Sequence, residues 1–141
     1  MVFKRAFLLD LRFILLNLLD MANRIIHFEI MAQEPERAAE FYREIFGWKV
    51  EKWGDFPYWL ITTGTNDEPG INGGLTASKG ESLTVNSIQV ADIDATVKQI
   101  EAKGGSLAVP KRPIPGVGYV AYCKDTEGIV IGLHQPDSTA K

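Results

Sequence analysis

Hydrophobic and polar positions change their period several times along this chain, and each change marks an element. Ile25, Ile26, Phe28 and Ile30 alternate with His27 and Glu29, which predicts a strand with two faces. Pro35 can occupy the first turn of a helix, where Glu34 and Glu36 suit the positive end. Ala38, Phe41, Tyr42 and Ile45 then follow at helical spacing until Gly47. Strands are expected from Trp48 to Trp53, Tyr58 to Thr63 and Ile71 to Ala77, separated by Gly, Pro and Asp turns.

The same order then recurs. Leu83 to Val90 reads as a strand, and Asp92 or Asp94 can cap a helix through Ala95, Val97, Ile100 and Ala102 that Gly104-Gly105 stops. Leu107 to Val109, Tyr119 to Cys123 and Ile129 to Leu133 supply three more strands. Two copies of strand, helix and three strands, offset by about sixty residues, imply a paired architecture. The expected fold is α+β: two tandem βαβββ modules, about 23–80 and 81–136, forming a cupped mixed sheet, with a tail at 137–141.

Residues 1–20, MVFKRAFLLDLRFILLNLLD, lie outside this repeat and are far more apolar. On a helical wheel Phe3, Phe7, Leu8, Leu11, Ile14, Leu15, Leu18 and Leu19 share one broad face, which predicts an added amphipathic helix over 1–22. Asp10 and Arg12 interrupt the run, so it does not read as a transmembrane span, and no small-residue cleavage site follows. Met21-Ala22-Asn23-Arg24 reads as a natural beginning of the repeated unit.

Composition narrows the classes. With 141 residues the chain fits one domain, and 45% hydrophobic with 23% charged residues is ordinary for a globular protein. A net charge of −3 argues against nucleic acid, whose binding needs a basic face. The single cysteine, Cys123, excludes an intramolecular disulfide and fits a reducing compartment, so a cytoplasmic location is expected. Cys123 itself reads as a buried inert thiol.

Several motifs add up in order and spacing: His27-Phe28-Glu29-Ile30, then Pro35-Glu36-Arg37-Ala38-Ala39-Glu40-Phe41-Tyr42 and Phe46-Gly47-Trp48, then Lys103-Gly104-Gly105, Pro115-Gly116-Val117-Gly118 and Lys124-Asp125-Thr126-Glu127-Gly128. Over residues 23–136 the chain resembles the glyoxalase/bleomycin-resistance/dioxygenase family, the vicinal oxygen chelate superfamily. The resemblance implies paired βαβββ modules, a cupped sheet and usually a homodimer. The family includes lyases, isomerases, ring-cleaving dioxygenases and catalytically inert binding proteins, so the fold leaves the chemistry open.

The family's metal-using members place four ligands, commonly two His and two Glu, on strands facing the cup. Carried over, the first position is His27. The second, an acid expected between Tyr58 and Thr63, finds no carboxylate, and the third finds only Val85, Asn86 and Ser87 where a His is expected. The fourth is Gly132. One of four survives, and a protein-held zinc or iron needs three or four. Glu29 shares a strand face with His27, and His134 with Gly132, so His27, Glu29 and His134 form an alternative two-His-one-carboxylate set.

The leading expectation is a small-molecule-binding protein with no cofactor, taking an aromatic or amphipathic molecule in the cup. Trp53, Trp59 and Tyr119 are expected to line it alongside His27, Glu29 and His134. Pro110 to Gly116 reads as a stiff loop whose Lys111 and Arg112 can meet an anionic ligand at the cup mouth. The alternatives are a lyase, isomerase or dioxygenase with a divalent metal on His27, Glu29 and His134, and a regulatory module contacting partners through residues 1–20.

Overall fold

The computed structural model describes residues 23–141. The helix expected over 1–22 lies outside the described residues. Among those described, no helix is long and apolar enough to cross a membrane.

The elements follow in the order β1 (Ile25–Ala32), α1 (Pro35–Phe46), β2 (Lys49–Lys52), β3 (Tyr58–Thr62), β4 (Gly73–Ala77), β5 (Leu83–Gln89), α2 (Ile93–Ala102), β6 (Ser106–Ile114), β7 (Gly118–Lys124) and β8 (Val130–Pro136). All eight strands join one sheet in the order β2-β3-β4-β1-β5-β8-β7-β6. The order is symmetric about its centre. Each module's first strand pairs in parallel with its own fourth, β1 with β4 and β5 with β8, and the two first strands pair antiparallel to each other.

Local chemistry sets the helix ends. Pro35 opens α1, and Gly47 closes it in the left-handed region at φ 65°, donating its N–H to the Arg43 carbonyl. Asp92, not Asp94, caps α2: its side chain accepts from the Ala95 N–H at 3.0 Å. Asp94, two residues further, is instead bonded by Lys111.

Each helix covers one half of the sheet's outer face, so there are two cores. Ala39, Val50, Trp59, Ile61 and Leu75 are buried under α1, with Phe28 and Ile30 packed against them. Val90, Ile93, Ala121, Cys123 and Leu133 are buried under α2, with Val97, Ile100 and Tyr119 around them. Each large aliphatic buried in this way contributes about 1.5–3 kcal/mol.

Two expectations change here. Pro110 to Ile114 belong to β6 rather than to a loop, and the turn is confined to residues 115–117. β6 is an edge strand exposed almost throughout, and its pairing with β7 shifts register twice, which admits Pro110 and Pro113. In α1, Phe41 and Ile45 carry the helical period but lie exposed, at 53% and 61%; the side toward β1 is filled by Ala38, Ala39 and Tyr42.

Leu75, fully buried in β4, tests the first core. Leu75→Ala should cost about 2–5 kcal/mol, read as a lower urea midpoint.

Candidate functional site

The face of the sheet away from the helices is the cup. Strand alternation assigns its residues: Phe28 and Ile30 point to the α1 core, so His27 and Glu29 point to the cup. Ile61 and Trp59 take the core side of β3, leaving Tyr58 and Leu60 on the cup side. Leu133 and Cys123 take the core side under α2, leaving Gly132 and His134 of β8 and Val120 and Tyr122 of β7 in the cup. Cross-strand pairing aligns His27 with Ser87, Ser87 with Gly132 and Gly132 with Tyr122, so one line of residues crosses the cup floor.

Two tyrosines span this floor. The Tyr58 hydroxyl and His27 Nε2 share a hydrogen bond of 2.8 Å. The Tyr122 hydroxyl donates to Glu29 Oε2 at 2.7 Å. Both tyrosines come from the third strand of their module and reach the first strand of the chain. Glycine makes room for the first. A Cβ at Gly74 would lie 1.8 Å from the Tyr58 hydroxyl oxygen, so no larger residue fits beneath that ring as it stands. On the other side a Cβ at Gly132 would press on the Ser87 hydroxyl at 2.7 Å.

Burial sets the charge states. His27 is pushed below the usual imidazole range by burial, and His134 by burial and by the neighbouring His27 charge. Burial raises the Glu29 carboxyl, opposed by the Tyr122 hydrogen bond and by the Arg112 charge. Both tyrosine hydroxyls are pushed up by burial and by the Glu29 charge, which keeps them as donors. His134 Nδ1 is buried and has no hydrogen-bond partner among the described residues.

The six expected site residues therefore divide. His27, Glu29 and His134 face the cup together. Trp53 follows β2 and stands 38% exposed beside Tyr58, with ring centroids 6.1 Å apart. Trp59 and Tyr119 do not line the cup. Trp59 is buried under α1 with its Nε1 donating to Glu36 Oε1 at 3.1 Å. Tyr119 packs into the α2 core with Lys111 over its ring. The physical reason is parity: each sits one residue from a cup-facing neighbour, so the pleat turns it to the helix. Tyr58 and Tyr122, which are not among the six expected site residues, are the cup tyrosines.

The three-residue metal set is not gathered. Among the described residues, no three His, Cys, Asp or Glu side chains stand close enough to hold a metal ion. His27 Nε2 is engaged by Tyr58 and one Glu29 oxygen by Tyr122. The residues present do not fit a resident metal as they stand.

Residues 24–133 match the model of the Glyoxalase/Bleomycin resistance protein/Dioxygenase superfamily. The chain belongs to that superfamily. A lactoylglutathione lyase of Arabidopsis thaliana is 28% identical over 129 residues, covering 83% of this chain and 46% of the relative. The chain thus spans less than half the length of that curated relative. The fold is also that of a methylmalonyl-CoA epimerase from Mycobacterium tuberculosis, at TM-score 0.55 and 18% identity over 79% of this chain and 87% of the other. A structure described as an NAD-dependent benzaldehyde dehydrogenase from Legionella pneumophila is similar at TM-score 0.58 and 17% identity, over 79% and 98% of the two chains. These two likenesses show the superfamily's fold in this chain.

The opposed shifts make a pH test. The unfolded state binds histidine protons below the ordinary value of 6.5 that the fold resists, so acidification below it costs stability. Glu29 acts oppositely: above the ordinary 4.5 the fold retains a proton that the unfolded state has released, so acidification toward that value adds stability. Glu29→Gln removes the second effect alone. Between pH 7 and 5.5 the variant should lose more stability than the native chain, whatever its starting stability, as measured by urea unfolding at several pH values.

Proposed function

We propose that this chain is a small-molecule-binding protein of the superfamily whose ligand, a planar or amphipathic organic molecule, occupies the cup without a resident metal. The observation carrying this reading is the Tyr58–His27 hydrogen bond across Gly74. It commits the imidazole nitrogen to a hydroxyl. The Tyr122–Glu29 bond does the same for a carboxylate oxygen. What remains for a ligand is an apolar wall and a few polar points: Leu60, 44% exposed on the cup face, Trp53 beside Tyr58, and the free Nδ1 of His134. The protein is proposed to act in the cytoplasm as a homodimer.

A second reading has one observation in its favour. The unpartnered His134 Nδ1 could accept a divalent ion if Tyr58 and Tyr122 swung away from His27 and Glu29, giving the lyase, isomerase or dioxygenase alternative on His27, Glu29 and His134. The lactoylglutathione lyase relative lends that reading its reaction class.

Two measurements separate these. A panel of planar aromatics with neutral, acidic and basic head groups should include members that raise the melting temperature, corresponding to about 2.7 kcal/mol at a hundredfold excess over the dissociation constant. Leu60→Lys should weaken those members by roughly tenfold or more, by placing a charge on the apolar wall. No stabilising member at all would remove the binding reading. Protein purified without chelator should hold far less than one metal per chain and gain no stability from Zn, Ni, Mn or Fe(II). Stoichiometric metal would replace the first reading with the second.

A further inference from the structure

We infer that the cup's ligand is an organic carboxylate and that Arg112 is the residue selecting it. The inference rests on the cup being the ligand site and adds the chemical class of the ligand.

The placement follows from register. Arg112 of β6 pairs with Val120 of β7, and Val120 pairs with His134 of β8. Residues directly opposite on neighbouring strands share a face, so Arg112, Val120 and His134 form one line on the cup side. Two strand spacings separate the ends, about 10 Å between backbones, with a short branched side chain between them. An arginine reaching inward from the edge strand therefore leans over the same hollow that His134 faces. Its guanidinium hydrogen-bonds the Tyr122 hydroxyl there, and its charge acts on that hydroxyl and on the Glu29 carboxyl.

The neighbouring cation is disposed of differently. Lys111 turns to the helix side, bonding Asp94 at the first turn of α2 and lying over the Tyr119 ring. Two adjacent basic residues are thus split by the pleat, one structural and one in the cup. Among the described residues Arg112 makes no ion pair within 4 Å, whereas the basic residue nearest the opposite edge of the cup, Lys49, is paired with Glu51 at 3.1 Å. The acid closest to Arg112 in this hollow, Glu29, is already taken at one oxygen by Tyr122. Lys124, the other cation on the cup side of β7, stands four residues along the strand from Val120 at the sheet's far end.

The cup therefore presents a guanidinium with no ion-pair partner among the described residues, beside the Tyr122 hydroxyl, and the buried, unpartnered Nδ1 of His134. A fork of five N–H donors matches a carboxylate in two parallel bonds, which a lysine does not. His134 Nδ1, buried and without a partner, offers a second polar point for a hydroxyl or carbonyl on the same ligand.

Three probes of one shape test this: 2-naphthoate, 2-naphthalenemethanol and 2-naphthylmethylammonium, titrated against the full chain by calorimetry and by tryptophan fluorescence. Naphthoate should bind about tenfold or more tightly than the alcohol, and the ammonium weakest. Arg112→Gln should erase the advantage of the acid and leave the alcohol within about twofold, with cooperative unfolding retained because the residue is exposed on an edge strand. Arg112→Lys should keep only part of the advantage. Equal binding of acid and alcohol, or an acid preference that survives Arg112→Gln, would overturn the assignment while leaving the cup reading intact. Failure of all three probes to bind would remove both.

Discussion

The antiparallel seam between β1 and β5 is the constraint on which the rest depends. Six registered pairs join the two modules there, from Ile25 with Ile88 to Met31 with Leu83, and the Asn23 and Gln89 N–H groups extend the bonding past the strand ends. Without it each module is a four-stranded sheet with one face under a helix and one face bare. With it the bare faces become one concave surface. The seam also places His27 beside Ser87 and Glu29 beside Val85, so the polar side chains of one module stand against a small or apolar floor contributed by the other. A one-residue slip would turn His27 and Glu29 into the α1 core and bring Phe28 into the cup. The apolar packing of Phe28 and Ile30 against Trp59, Ile61 and Leu75 opposes that slip. The core thus guards the register, and the register makes the site.

Burying two histidines and a carboxylate on that floor has a cost that must be met locally. An unpaired buried polar group costs about 1–3 kcal/mol, and a buried charge more. The structure meets the cost with neutral partners rather than opposite charges. Tyr58 serves His27 and Tyr122 serves Glu29, both at ordinary hydrogen-bond lengths, and each hydroxyl is held protonated by its own burial. The arrangement needs space under the rings, and Gly74 supplies it where any side chain would collide with Tyr58. A position facing the cup that holds glycine and a strand that sends a tyrosine over it are one device. His134 Nδ1 is the point at which the local solution stops among the described residues.

Much of this was legible before any coordinates, and the parts that were not have a common cause. The repeated strand–helix–strand pattern located both modules, because a period of two and a period of 3.6 are properties of sequence alone. The sharing of a face by His27 with Glu29, and by Gly132 with His134, was likewise readable from spacing within a strand. What spacing within one strand does not state is which of its two faces meets the helix. Aromatic character alone points Trp59 and Tyr119 to the cup, yet each side chain serves a core, Trp59 through an indole bonded to Glu36 and Tyr119 beneath Lys111. Tyr58 and Tyr122 carry no stronger local signal than these two. Only the pairing across strands, from Tyr122 through Gly132 and Ser87 to His27, separates a cup tyrosine from a core one. β6 escaped for another reason. Its prolines read as a loop, and an edge strand with shifted register is where a sheet accommodates them.

The pseudo-symmetry of the modules makes their differences informative. At the seam, β1 brings His27 and Glu29 where β5 brings Ser87 and Val85. On the outer strands, β2 brings a lysine and a glutamate that neutralise each other, whereas β6 brings an arginine on the cup side and a lysine committed to the opposite face. Both differences polarise the hollow along the same axis. The polar floor groups stand on the first module's central strand, and a cation with no ion-pair partner among the described residues stands on the second module's edge. Tyr122 bridges the two, donating to Glu29 while lying within reach of the Arg112 charge. A symmetric cup would accept a ligand in either orientation. Under the proposed reading this one distinguishes the ligand's ends, because a hydrogen-bonding group on one side and a charge on the other cannot be exchanged without leaving one of them unmatched.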